Sequence, residues 1–223
     1  MKKQTYALLE AYMLSCCADS AHDREHIYRV LGNALEIGRE TPGVDWDVLI
    51  AACLLHDVGR PEQFRDPNLC HAQVGSEMAY RFLVEQGFSE DFAGKVRHCI
   101  VTHRFRKARP PQTLEAKILF DADKLDVTGA LGIARTLMYK GDTKEVLYHR
   151  NPDGSIDDGT GNTGESFFRE YKFKLEKLYD RFYTETGCRL AKRRQRIAED
   201  FYRSLLEEVA GSGPEQLSSV LED

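Results

Sequence analysis

Residues 47–61 read DVLIAACLLHDVGRP, and their reading decides the fold. From Val48 to Leu55 the run is apolar on every face, which predicts a helix surrounded by protein on all sides. It ends in adjacent His56 and Asp57, followed by Gly59 and Pro61, residue types that stop helices and turn the chain. A helix advances about 100° per residue, so neighbouring side chains at its last turn can converge on one ion just beyond that end. A carboxylate buried there needs a counter-charge or hydrogen bonds. A metal ion would supply the charge.

Helical spacing dominates outward from this segment. Residues 26–38 place Ile27, Val30, Leu31, Ala34, Leu35 and Gly38 on one face. Further helices are predicted over 4–17, 71–86, 89–103, 113–125 and 128–139, with Gly87, Pro110 and Pro111 as punctuation and no competing strand alternation. The stretch KGDTKEVLYHRNPDGSIDDGTGNTG at 140–164 is rich in Gly, Asp and Asn and reads as one long irregular loop, a lid or a mobile segment. Helices over 165–183 and 186–210 follow, and 211–223 reads as a flexible tail. The expectation is an all-α bundle forming a single domain over 1–210, with the motif core at 20–139 and additional C-terminal helices at 165–210.

Composition narrows the function classes. The 223 residues are 42% hydrophobic, enough for one substantial core, and the formal net charge of −5 argues against a surface devoted to nucleic-acid phosphates. No stretch approaches the roughly 20 apolar residues of a membrane span, and the N-terminus lacks an uninterrupted signal-peptide core. The six cysteines include no CxxC pair and several lie in apolar segments, as reduced thiols of a cytoplasmic protein would.

Two further residues suit a site at the end of the buried helix. His26 lies near the start of its helix, on a face bordering the apolar stripe, and Asp123 interrupts the helical spacing of ILFDADKLD. Two neutral imidazoles and two carboxylates would neutralise a divalent ion and leave coordination positions open for water or a phosphate oxygen. The bland alternative is a capped helix end at Asp57, a surface His26 and a solvated Asp123.

HDREHIYRV, AACLLHDVG and FDADKLDVTGALGIAR, in this order and at these separations, resemble the H…HD…D pattern of the HD superfamily. The likeness is greatest to the small bacterial HD nucleoside triphosphate pyrophosphohydrolases, whose terminal helix TETGCRLAKRRQRIAEDFYRSLLEE also resembles. The resemblance implies an all-helical fold, a divalent cation held by His26, His56, Asp57 and Asp123, and action on small phosphorylated substrates such as (deoxy)nucleoside triphosphates. Mn²⁺ is the favoured ion, with Mg²⁺, Fe²⁺, Co²⁺, Ni²⁺ or Zn²⁺ as alternatives. An HD phosphomonoesterase or phosphodiesterase, or a noncatalytic nucleotide-binding regulator, remains open.

Around the four ligands the sequence offers a phosphate-handling set. Arg60 could clamp a phosphate oxygen bidentately. His71 could bind a second metal, position phosphate or protonate a leaving group, or be an ordinary helix-start histidine. His103 opens HRFRKARPP, whose Arg104, Arg106, Lys107 and Arg109 could attract polyphosphate or form a solvated basic loop. Lys124 and Asp126 could serve substrate phosphate and ligand orientation, or a surface salt bridge. Glu62 is a candidate base, whereas His98 reads as structural. His22 falls outside the ligand set, with Asp23 as a candidate N-cap.

Overall fold

A computed structural model describes residues 1–16, 21–104, 109–161 and 163–211, with backbone alone at 21–23. The side chains of His22 and Asp23, the cations Arg106 and Lys107, and the tail from residue 212 lie outside the described residues. The chain divides into two compact units, Met1–Asp126 with Phe182–Gly187, and Val127–Arg181 with Cys188–Asp223.

The first unit holds α1 (Lys3–Cys16), α2 (Ala21–Arg39), α3 (Trp46–Leu55), α4 (Arg60–Arg65), α5 (His71–Glu85), α6 (Glu90–Thr102) and α7 (Leu114–Leu125). The all-round apolar α3 is its axis: α1, α2, α5, α6 and α7 all pack against it, and Leu49, Ala51, Ala52, Cys53, Leu54 and Leu55 are inaccessible to solvent. Capping fixes where the helices start. Asp45 accepts from the backbone N–H of Asp47 and Val48, Ser89 from Phe92 and Thr113 from Ala116, each satisfying donors that the first turn leaves over. The stop at Gly59–Pro61 is short-lived, because Pro61 sits in the first turn of α4, where its missing N–H costs nothing.

The second unit contains α8 (Gly129–Asp142), α9 (Phe167–Phe173), a 3₁₀ turn (Leu175–Lys177) and most of α10 (Glu185–Ala210). The helix expected over 165–183 therefore ends early. Lys174 leaves helical geometry at φ −127° and the chain tightens into the 3₁₀ turn, which buries Leu175 and Tyr179 beside the stacked pair Tyr171–Tyr202, whose ring centroids are 4.1 Å apart. The irregular stretch carries two isolated bridges, Val146 with Ser166 and Arg150 with Ile156. Asp157 accepts from the backbone N–H of Gly159 and Gly161 and from the Thr163 hydroxyl. Among the described residues no helix is long and apolar enough to cross a membrane.

Candidate metal centre

Six side chains from five places in the first unit meet at the C-terminal end of α3. His56 caps that helix and Asp57 follows it. His26 comes from α2, His71 opens α5, His103 caps α6 and Asp123 comes from the last turn of α7. Two trios result, His26–His56–Asp123 and Asp57–His71–His103, with the donor atoms of each trio within 4.8 Å of one another.

Asp57 joins the trios. Its Oδ2 lies 3.6 Å from the Nε2 of both His26 and His56, and its Oδ1 lies 3.3 Å from Nε2 of His71 and 3.8 Å from Nε2 of His103. Across the centre, Nε2 of His26 is 3.3 Å from that of His56, and Nε2 of His71 is 3.4 Å from that of His103.

What the outer nitrogens do decides the chemistry of this cluster. Nδ1 of His56 faces the carbonyl of Cys53 at 2.7 Å and Nδ1 of His103 that of Ile100 at 2.6 Å. Nδ1 of His71 faces Gln63 Oε1, and Nδ1 of His26 faces Asp126 Oδ2, each at 2.6 Å. These oxygens accept, so each Nδ1 must donate, and a neutral ring then turns the Nε2 lone pair inward. Four inward lone pairs and two carboxylates form an electron-rich centre in which like-polarity atoms face each other at close range. Asp57 Oδ1 is the one buried side-chain polar atom among the described residues that finds no hydrogen-bond partner. An orphaned carboxylate oxygen beside two nitrogen lone pairs fits a divalent cation, and the His/Asp donors suit ions of the Mn²⁺ to Zn²⁺ series.

Without a cation, protons and basic side chains balance the charge. Burial is the largest influence on His26 and pulls its pKa down, but Asp123, Asp126 and Asp57 outweigh it and raise the pKa to about 9. Burial pushes His71 down to about 3 and His103 down to about 4, keeping both neutral. For Asp57 burial is opposed by His56, Arg60, His103 and His26, and the carboxyl is held well below its usual range. Asp123 is held low in the same way by Lys124 and His26. The cations reach the ligands directly: Arg60 Nε is 3.0 Å from Asp57 Oδ2 and Lys124 Nζ is 3.3 Å from Asp123 Oδ2.

The candidate ligands picked from the sequence thus meet in one place with Arg60, His71, His103 and Lys124, whereas Glu62 and the described cations after His103 bond elsewhere. Arg104 rests 3.6 Å from Cys70 Sγ and Arg109 bonds Gln73. Glu62 pairs with Arg65 at 2.5 Å, and His98 accepts from the backbone N–H of Gln112. Asp126 is fully buried; besides His26 it binds Arg29 through Nε at 2.6 Å and Nη2 at 3.1 Å. Two contributors were passed over in the sequence. Gln63 sets the tautomer of His71, and the glycine pair Gly59–Gly75 lets α5 close on the HD turn. A Cβ on Gly59 would stand 2.4 Å from the His71 carbonyl oxygen and 2.5 Å from Gly75 N.

An HD domain profile matches residues 24–128, the span that carries all six donors. Bacillus subtilis YpgQ is 31% identical over 196 residues, covering 86% of either chain. The chain belongs to the HD superfamily. The crystal structure of YpgQ in complex with ADP superposes on it with a TM-score of 0.70 and 29% identity, over 92% of this chain and 98% of that one. An HD-superfamily hydrolase from Bacillus thuringiensis gives a TM-score of 0.73 and 27% identity, over 95% and 100%. HD-superfamily membership makes the chain a metal-dependent phosphohydrolase, and the all-α fold agrees with it.

Proposed function

We propose that the protein hydrolyses (deoxy)nucleoside triphosphates to monophosphate and pyrophosphate, with His26, His56, Asp57 and Asp123 holding Mn²⁺ or a similar ion. The observation that carries the hydrolytic centre is the division of Asp57, one oxygen toward His26 and His56, the other orphaned between His71 and His103. That orphan favours metal holding over a role as acid or base for His71 and His103, which with Asp57 would hold a second ion. Divalent ions bound there would supply Lewis acidity, making a water more acidic and drawing charge from phosphoryl oxygens.

The chain's own groups do the rest. The four Nδ1 hydrogen bonds hold the imidazoles in the tautomer that points a lone pair inward, a constraint commonly important for affinity at such sites. Burial keeps His71 and His103 neutral and available as donors. Arg60 and Lys124, held at the ligand carboxylates, offset the charge of an incoming phosphate chain, and the guanidinium can bind two oxygens at once. The nucleotide class is supported by the ADP bound to the YpgQ relative. Cleavage at the α-phosphorus is supported by the resemblance to the small bacterial pyrophosphohydrolases. The buried thiols of Cys53 and Cys99 suit a reducing cytoplasm.

Incubating Mn²⁺-loaded protein with a deoxynucleoside triphosphate panel and identifying the products tests this. Monophosphate with pyrophosphate is expected. Nucleoside with triphosphate refutes the α-phosphorus assignment while keeping HD hydrolysis. Turnover of diesters alone would favour the phosphodiesterase that the His71–His103 pair also suits. Silence across metals and phosphorylated substrates would favour a binding regulator.

A further inference from the structure

The short helix α4 follows directly from the HD turn and carries a side chain that the hydrolytic centre does not use. Phe64 is 77% exposed, the most solvent-facing of the large hydrophobic side chains among the described residues. One exposed aromatic alone says little. Its surroundings say more: with Arg60, Gln63 and Pro67 it lines a cavity of ≈ 280 Å³. Arg60 points its Nε at Asp57 while its side chain stays 38% exposed, and Gln63 bonds His71. One helix therefore touches two members of the Asp57–His71–His103 trio and carries an aromatic side chain near its end, and four residues of α-helix place Phe64 about 6 Å along the axis from Arg60.

We infer that Phe64 is the platform on which the base of the substrate nucleotide stacks, with Arg60 taking the phosphate chain between that ring and the metal centre. This rests on the nucleotide reading of the same site. The cavity of ≈ 280 Å³ falls just short of the about 300–1,000 Å³ usual for whole-ligand pockets, so it suits one ring system with the phosphates outside it. Every base offers a π-face, so a lone aromatic binds bases as a class.

Binding to the metal-loaded protein tests this, using a non-hydrolysable α,β-methylene deoxyadenosine triphosphate and inorganic tripolyphosphate as probes. Loss of an aromatic–base stack costs about 5- to 150-fold in affinity. Phe64→Ala should therefore reduce the preference for the nucleotide over tripolyphosphate by about 5- to 150-fold. Phe64→Tyr and Phe64→Trp should restore it, and the introduced tryptophan should be quenched by the nucleotide and not by tripolyphosphate. An unchanged preference in Phe64→Ala, or equal weakening of both ligands, overturns the platform. If the wild-type protein cleaves deoxynucleotides in the product assay, only the platform falls. If it neither cleaves nor binds them, the nucleotide reading falls too.

Discussion

Replacing Asp126 with asparagine leaves all six candidate metal donors in place and removes only what orients one of them. The carboxylate is fully buried and accepts from His26 Nδ1 at 2.6 Å and from Arg29 Nε and Nη2 at 2.6 and 3.1 Å. Asparagine keeps the shape, loses the charge and can offer only one oxygen to these donors. The Arg29 side chain is 36% exposed, so water takes over much of its solvation and the ion-pair loss is discounted to about 0–1 kcal/mol. The weight falls on His26. A hydrogen bond to a charged group is worth about 1.5–3 kcal/mol, and losing such a ligand-orienting bond typically costs about 10–100-fold in metal affinity. Asp126→Asn should thus weaken Mn²⁺ binding by about 10–100-fold, or about 1.4–2.7 kcal/mol, and lower Tm by a few degrees. Calorimetric titration of chelator-stripped protein with Mn²⁺, paired with a circular dichroism melt, measures both. An affinity within twofold of wild type would refute the claim that Asp126 sets the His26 donor.

The remaining expectations concern other parts of the same centre. Asp57→Ala should abolish turnover and metal retention in a folded protein; wild-type kinetics with wild-type metal content would overturn the ligand assignment. His71→Ala and His103→Ala should each reduce bound metal from two ions to one by elemental analysis, and an unchanged stoichiometry contradicts the second ion. Gln63→Leu should remove the acceptor for His71 Nδ1 and weaken the second ion about 10–100-fold, sparing the first; loss of both ions together would show that Gln63 is structural. Gly59→Ala should destabilise by about 1–3 kcal/mol or more, because its Cβ would meet backbone atoms that cannot swing away, and a melt unchanged from wild type would remove the close-approach explanation.

What was legible in the sequence is what period and polarity encode. An all-round apolar α3 had to be central, and its solvent-inaccessible residues bear this out. The three aspartates at the C-terminal end of α7, the last of them its cap, illustrate where legibility stops. Asp123 and Asp126 are three apart and share a helix face, whereas Asp121 must face elsewhere. Periodicity gives the angles but not the neighbours. Asp121 turns to the start of α10, accepting from the backbone of Tyr183 and Thr184 and from the Thr184 hydroxyl, a contact 63 residues distant in sequence. The expected 165–183 helix failed for a related reason. Tyr171, Leu175 and Tyr179 recur at helical spacing and are all buried, yet the chain between them breaks at Lys174. Spacing records which side chains are buried; it does not record which backbone groups are bonded. At six residues, α4 is too short for spacing to reveal at all.

The four outer histidine bonds also divide the centre into parts with different sensitivity to change. His56 and His103 lean on backbone carbonyls three residues earlier in their own helices, so no substitution of those partners can remove the acceptors while the helices persist. His26 and His71 lean on side chains, Asp126 and Gln63, one per trio. Each trio therefore has one histidine fixed by its helix and one tuned by a replaceable residue. The tuning differs in kind: Asp126 brings a full charge, which strengthens the bond, while Gln63 brings only a dipole. The trio of His26, His56 and Asp123 should accordingly hold its ion more tightly than the trio of Asp57, His71 and His103. A second ion held by Asp57, His71 and His103 would then be the one better placed to arrive or leave with a phosphate chain, since those residues lie on the α4 side of the centre, where Gln63, Arg60 and Phe64 line one cavity.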